Sequence, residues 1–283
     1  MHFLFHCVIL LGIVEFHIFS EKNISGSGRI YLAGRTAPLK TGKDVMAVID
    51  FHSHVLPGID DGSRNVQTSL EMLRLSAQQG VDIMVATPHF YAWRDRVEHF
   101  LQRRQEAWEA LSPNLTPELP QVLLGAEAAF FPGISTAEQV SQLTLQGTNV
   151  LLLEMPFQPW TQSNLAEVRS LLKERGFHVV IAHLERYLSL PGNKKMVQEL
   201  LELPVTVQLN AEDLLDWRRR GKLIRMFRKG QAHLLGSDSH GIHRRPPNLG
   251  PGREVLQKKL GAEALERIDR AGARLLPEGV KNV

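Results

Sequence analysis

The feature that most constrains this chain is an alternation repeated along most of its length. Seven short apolar runs are each followed by a longer segment with helical spacing. The runs are "VMAVIDF" (45–51), "DIMVATP" (82–88), "QVLLGAE" (121–127), "NVLLLEM" (149–155), "HVVIAH" (178–183), "VTVQL" (205–209) and "AHLLGSD" (232–238). They are nearly continuous in apolar residues, as parallel strands buried on both faces must be. The first spacer carries Val66, Leu70, Leu73 and Ala77 at helical intervals and ends at Gly80, a natural C-cap. Similar patterns predict helices over 97–111, 135–146, 193–202, 211–228 and 253–273, and one that starts with Ser163 as N-cap and ends at Gly176. Repeated βα units with short connections predict an α/β fold whose parallel sheet closes into a barrel; an open doubly wound sheet is the rival.

The 283 residues suffice for one large domain or two small ones, and 43% apolar with 22% charged residues is ordinary for a globular protein. A net charge of +3 is small, and residues 1–45 account for +2 of it, so no nucleic-acid partner is expected. The one basic cluster, "WRRRGKLIRMFRK" (217–229), reads as the solvated face of a helix. Cys7 is the only cysteine. The body therefore has no disulfide and no thiolate nucleophile, which fits the reducing cytoplasm.

The first twenty residues are apolar but interrupted by His6, Glu15 and His17, and no Lys or Arg precedes them. That suits neither a secretory signal nor a full membrane span, and no stable membrane insertion is expected. The reading adopted is an N-terminal extension over 1–45, disordered or a mis-assigned start, and a functional domain over 46–283 that begins near Met46. A membrane anchor is the alternative.

In βα barrels, active sites form where strands end and loops begin. The first run delivers His52 and His54, with Asp60 and Asp61 in the loop that follows. The second ends in His89, the third in Glu127, and the fourth in Glu154 inside "LLLEMPF". The fifth ends in His183 with Arg186 close behind, and the seventh in Asp238 and His240. Any one of these could be an ordinary polar terminus. Together they are five imidazoles and four or five carboxylates at strand ends, and a carboxylate deep in an apolar strand needs a cation or strong donors. Neutral imidazole with carboxylate suits Mn²⁺, Fe²⁺ or Zn²⁺, and this many donors exceed the needs of one ion.

"DFHSH…DDG", "TPHF", "GAE", "LLLEMPF", "AHLERY" and "SDSHG", in this order, resemble the polymerase-and-histidinol-phosphatase (PHP) superfamily. Within it they are similar to the bacterial manganese-dependent protein-tyrosine phosphatases of capsular and exopolysaccharide loci. The resemblance implies a distorted, TIM-like (β/α)7 barrel with two or three Mn²⁺ ions. It implies one ion on His52, His54, Glu127 and Asp238, a second on Glu127, Glu154 and His183, and a third on Asp61, His89 and His240. Asp60 would orient its loop. Arg186 and Arg245 match arginines that contact the substrate phosphate. One departure is that "GAEAAF" lacks the Asn usual before the bridging glutamate.

What the resemblance implies is hydrolysis of phosphotyrosine on a protein, with a bacterial tyrosine autokinase that controls polysaccharide export as the expected partner. A tyrosine leaving group has a pKa of about 10 and leaves without a strong general acid. Phe90, Tyr91, Trp93 and Trp160 lie in loops where they could stack on an aromatic ring or pack on helices. The alternatives are a small-molecule phosphoesterase such as histidinol phosphatase, a nucleotide exonuclease, C–N hydrolysis of the amidohydrolase kind, and a metal-binding regulatory protein without catalysis.

Overall fold

The computed structural model describes residues 46–280. The expected extension over 1–45 lies outside the described residues. Nine parallel strand segments run in chain order: β1 (Ile49–Ser53), β2 (Ile83–Ala86), β3 (His89–Phe90), β4 (Gln121–Leu124), β5 (Glu127–Ala129), β6 (Val150–Glu154), β7 (His178–Ile181), β8 (Thr206–Asn210) and β9 (Leu234–Gly236). Each of the seven expected runs overlaps at least one of them. β1, β2 and β4 pair in that order, and β3, β5, β6, β7, β8 and β9 form the longer sheet.

Two runs are each broken into two segments for local reasons. Pro88 lacks the N–H that would continue β2 into β3. Gly125 weakens the strand where β4 gives way to β5. The sheet is curled. Beyond β9, the amide of Asp238 donates to His52 O at 2.8 Å, and that of His54 donates to Ser239 O at 3.0 Å. The last strand is thereby joined back to the first.

The curl separates two hydrophobic clusters. Alternate residues Ile49, Phe51, Ile83, Val85, Val150, Leu152, Val180 and Leu234 gather on the inner face with Ala273, Leu275 and Leu276. Their strand neighbours Met84, Ala86, Leu151, Leu153, Val179, Ile181 and Leu235 face the helices. Both faces of each strand are therefore apolar, which is why the runs read as continuous.

The helices are α1 (Val66–Gln78), α2 (Val97–Leu111), α3 (Gln162–Lys173), α4 (Asn193–Leu201), α5 (Ala211–Leu215), α6 (Arg220–Arg228), α7 (Leu249–Leu260) and α8 (Ala262–Ala273). Several depart from expectation. Only a 3-10 turn, Glu138–Leu143, forms within 135–146. There Ser141 and Thr144 hydroxyls donate to Glu138 O and Ser141 O, competing with a longer helix. α3 is capped by Thr161, not Ser163, because Thr161 and Asn164 form a reciprocal capping box. The predicted helix over 211–228 divides where Asp216 accepts from the amide of Arg218 and from Arg219 Nε. That over 253–273 divides at Gly261, whose φ of +84° ends α7. No helix among the described residues is long and apolar enough to cross a membrane.

Candidate metal centre

Strand register decides which ends meet. In a parallel pair, partners in register share a face, as do residues two apart along a strand. His89 is in register with Glu127, Glu127 with Leu152, and Ala129 with Glu154. His89, Glu127 and Glu154 therefore share the inner face with Leu152, His89 and Glu127 in its own layer and Glu154 one layer nearer the strand C-termini. β1 and β9 bring His52, His54 and Asp238 to the same end.

The convergence is tight. Nε2 of His52 is 3.2 Å from Nε2 of His54 and 3.3 Å from Glu127 Oε2. Nε2 of His54 lies 3.5 Å from Glu127 Oε2 and 3.4 Å from Asp238 Oδ1. His52 to Asp238 Oδ1 is 3.7 Å. Donors around a tetrahedral ion with bonds of about 2.1 Å stand about 3.4 Å apart, so these four atoms have the spacing of one coordination shell. Glu127 Oε2 is buried and makes no well-aligned hydrogen bond, although Nδ1 of His89 lies 2.8 Å from it; a carboxylate oxygen surrounded by imidazole nitrogens in this way suits a shared cation.

Two further groups adjoin it. Nε2 of His183 lies 2.7 Å from Glu127 Oε1 and 3.5 Å from Glu154 Oε1. Nε2 atoms of His89 and His240 lie 3.5 and 3.6 Å from Asp61 Oδ1. Asp61 differs from the rest in being 74% exposed. All nine residues expected at strand ends are thus brought to one mouth, and four groups of three offer donors close enough to hold an ion.

Neighbouring side chains set the ring tautomers. Asp60 Oδ2 accepts from Nδ1 of His54 at 2.7 Å and from the amide of His89 at 3.0 Å; its Oδ1 accepts from the amide of Gly62. Asp60 thus orients the loop, and turns Nε2 of His54 inward. Gln208 Oε1 lies 3.1 Å from Nδ1 of His52 and accepts from the amide of His183 at 2.9 Å. The Gln208 amide donates to Asn210 Oδ1, and Asn210 Nδ2 donates to Asp238 Oδ2 at 2.8 Å. Sequence reasoning missed Gln208 and Asn210 because an amide at a strand end carries no chemical signal. A polar pair two apart on one face, ending an otherwise apolar strand, is the only trace they leave.

Close approach also requires two glycines. A Cβ at Gly62 would stand 2.4 Å from His54 Cβ, and one at Gly236 would stand 2.5 Å from His52 Cβ. Two non-glycine residues hold positive φ among the described residues, His183 at 32° and Asp238 at 50°. Both are site residues, where such strain collects. The turn at His183 leads into the 3-10 segment Leu184–Tyr187, which carries Arg186.

Electrostatics fit the packing. Burial alone would raise the Glu127 carboxyl, but His52, His183 and His89 outweigh it and hold it well below the usual range. Burial likewise opposes ionisation of Asp238, and the charges of His52, His54 and Arg186 reverse the balance. Beneath them, burial pushes Asp50 up to about 6 although it accepts the amide of Ser237 at 2.8 Å.

Arg186 and Arg245 both reach Asp238 Oδ2, and about a third of each side chain is exposed. Nη1 of Arg245 also lies 3.1 Å from Nε2 of His240. The two guanidinium groups thus share one anchor at the rim.

Of the four expected aromatics, Phe90 and Trp160 are core residues, packed on Phe100 and Tyr187. Tyr91 stacks on His89 at 5.1 Å and on Trp93 at 4.9 Å. Tyr91 also lines a cavity of about 450 Å³ together with Asp61, His89 and Arg94. A larger cavity of about 570 Å³ lies at the opposite strand ends and has no imidazole in its lining. Phe157, missed from the sequence, is 56% exposed and lies over Tyr187 and His183 at 5.1 and 6.1 Å.

Comparison with known proteins agrees with this arrangement. The sequence profile of a family described as capsular polysaccharide synthesis, CpsB/CapC, matches residues 48–276. Tyrosine-protein phosphatase CpsB of Streptococcus agalactiae serotype III (strain NEM316) is 27% identical over 237 residues, covering 78% of this chain and 94% of its own. Tyrosine-protein phosphatase YwqE of Bacillus subtilis (strain 168) is 28% identical over 222 residues, covering 76% and 86%. Among solved structures, one from work on YwqE of Bacillus subtilis and CpsB of Streptococcus pneumoniae, described as unique metal-dependent tyrosine phosphatases, superposes with a TM-score of 0.69. It is 24% identical and covers 81% of this chain and 94% of that one. Dihydropyrimidinase from Brevibacillus agri superposes at 0.54 with 11% identity, covering 84% and 72%, which is a likeness of fold.

Proposed function

Since this chain belongs to the CpsB/CapC family of capsular polysaccharide synthesis, we propose that it is a metal-dependent phosphatase that hydrolyses phosphotyrosine on a protein. The observation that carries the reading is the cage formed by His52, His54, Glu127 and Asp238, with donor atoms spaced for one ion. Glu127, together with Glu154 and His183, would hold a second ion. Asp61, His89 and His240 would hold a third. Mn²⁺ is the ion assigned, and Fe²⁺ or Zn²⁺ suits the same donors. The interrupted pairs β2/β3 and β4/β5 each count as one strand of a (β/α)7 barrel.

When bound, such ions supply Lewis acidity toward phosphate oxygens and acidify a water molecule. The chain's own residues do the rest. Asp60 and Gln208 keep Nδ1 of His54 and His52 occupied, so that each ring presents Nε2. Asn210 steadies Asp238. Arg186 and Arg245 exchange their shared hold on Asp238 for phosphate oxygens, which guanidinium forks bind two at a time. Phe157 and Tyr91 offer rings on either side of the imidazoles against which a tyrosyl ring can stack. Phenolate is a good enough leaving group that the absence of an assigned general acid is no obstacle.

The substrate assigned is a bacterial tyrosine autokinase that regulates capsule or exopolysaccharide synthesis, and the compartment is the cytoplasm. Hydrolysis of p-nitrophenyl phosphate with Mn²⁺ is expected to vanish with chelator and with His52→Ala. Turnover of a phosphotyrosyl peptide is expected to exceed that of histidinol phosphate. Activity indifferent to chelator and to His52→Ala would overturn the reading.

A further inference from the structure

Four large apolar side chains stand exposed among the described residues: Trp93, Phe157, Leu215 and Trp217. Phe157 lies over His183, and Trp93 packs on Tyr91, which stacks on His89. Leu215 and Trp217 do not touch the imidazole cluster and have no part in the mechanism. Trp217 is 71% exposed, with the guanidinium of Arg218 5.2 Å over its ring. It opens the run 217–229, which holds seven Lys or Arg and no acid in a chain whose net charge is only +3. The remainder of the chain is therefore net acidic.

The structure sorts this run into two faces. Leu223, Ile224, Met226 and Phe227 are buried, which leaves Lys222, Arg225 and Arg228 exposed along α6 at intervals of three. Arg219 is neutralised by Asp213 at 2.6 Å and Asp216 at 2.8 Å. Among the described residues, Arg218, Arg220, Arg225 and Arg228 have no acidic partner within ion-pair distance. The run is tied to the site at two points. α5 follows directly on Asn210, which holds Asp238. Lys222 Nζ donates to Leu188 O at 3.2 Å, two residues beyond Arg186.

We infer that Trp217 and the basic stripe of α6 form a docking surface for an acidic segment of the protein substrate, held beside Arg186 while its phosphotyrosine enters the metal centre. The phosphotyrosine part rests on the phosphatase reading; capture of an acidic segment stands on the surface itself. Nine helical residues span roughly 13 Å, the length of about four extended residues. A duplex nucleic acid or a bilayer needs a broad positive face, and the rest of this chain is net acidic. An exposed tryptophan beside unpaired arginines is the combination that anchors and steers a protein segment.

Two phosphotyrosyl peptides that differ only in flanking Glu/Asp against Gln/Asn test this, with p-nitrophenyl phosphate as the small control. The Mn²⁺-loaded protein is expected to show about a tenfold lower KM for the acidic peptide, lost at high salt. In R218E/K222E/R225E the two KM values should coincide, with kcat and the control reaction unchanged. Should the triple variant melt early, Trp217→Ala and R218Q/R225Q test the same surface without reversing charge. Fluorescence anisotropy with the unphosphorylated acidic peptide reads the surface independently of catalysis, so failure of the phosphatase reading leaves it decidable. Binding that weakens tenfold in the variants supports the proposal. Equal KM for both peptides together with no binding of the unphosphorylated one overturns it. So does tighter binding to phosphatidylserine vesicles or an RNA hairpin than to the acidic peptide.

Discussion

Gln208 Oε1 stands 3.1 Å from Nδ1 of His52 and accepts the backbone amide of His183 at 2.9 Å. One neutral amide on β8 thus positions residues of β1 and of the turn after β7, so it fixes two candidate ligands at once. Partners of this kind are worth 10–100-fold in metal affinity. Gln208→Leu should weaken Mn²⁺ binding by that range in calorimetric titration while circular dichroism stays unchanged. Affinity equal to wild type would show that His52 needs no such partner.

Arg186 and Arg245 converge on Asp238 Oδ2 from opposite sequence neighbours of the site. The proposed role of both in binding phosphate predicts a loss of about 10²-fold in kcat/KM for Arg186→Ala and for Arg245→Ala, with bound metal unchanged by atomic absorption. Arg186→Lys should recover little, because an ammonium cannot form the fork.

Metal and folding should be linked. An ion that binds the native cage stabilises it by RT ln(1 + [L]/Kd), about 2.7 kcal/mol at a hundredfold excess over Kd. Added Mn²⁺ should raise Tm and EDTA should reverse the rise. The Glu127→Gln protein, which loses the buried carboxylate charge at the centre of the cage, should show almost none of it.

Gly236 faces the ring of His52 so closely that a Cβ would stand 2.5 Å from His52 Cβ and 2.9 Å from Gln208 Nε2. Gly236→Ala should therefore cost about 1–3 kcal/mol, the usual range for overpacking. It should lower metal occupancy as well as Tm, since the atoms that must shift are in the cage. A purely thermal effect with full occupancy would contradict this.

Glu167 on α3 accepts the amides of Gly133 and Ser135, each at 3.0 Å. Partial burial opposes its charge, but these hydrogen bonds win and hold its pKa below the ordinary glutamate value. A depressed carboxyl contributes stability above its unfolded pKa and loses it as pH falls through the folded value. In chelated protein, Glu167→Gln should cost about 1 kcal/mol at pH 7, a few degrees in Tm, after allowance for its exposure. The two melting curves should converge as the pH falls below the folded value.

What the amino-acid sequence determined alone is chemistry set by residue type and by period. Buried parallel strands must be apolar on both sides, so β1, β6 and β7 announce themselves, and His52, Glu154 and His183 are conspicuous as the polar residues that end them. α2 coincides with its predicted bounds because its apolar stripe and flanking residues agree. The tertiary structure decided what depends on through-space partners. Thr161 caps α3 because Asn164 answers it, and Gln208 matters because the curl of the sheet sets it against a histidine 156 residues away. An amide looks the same in sequence whether it faces water or a ring. Only the register of neighbouring strands tells them apart, and register is a property of the folded sheet.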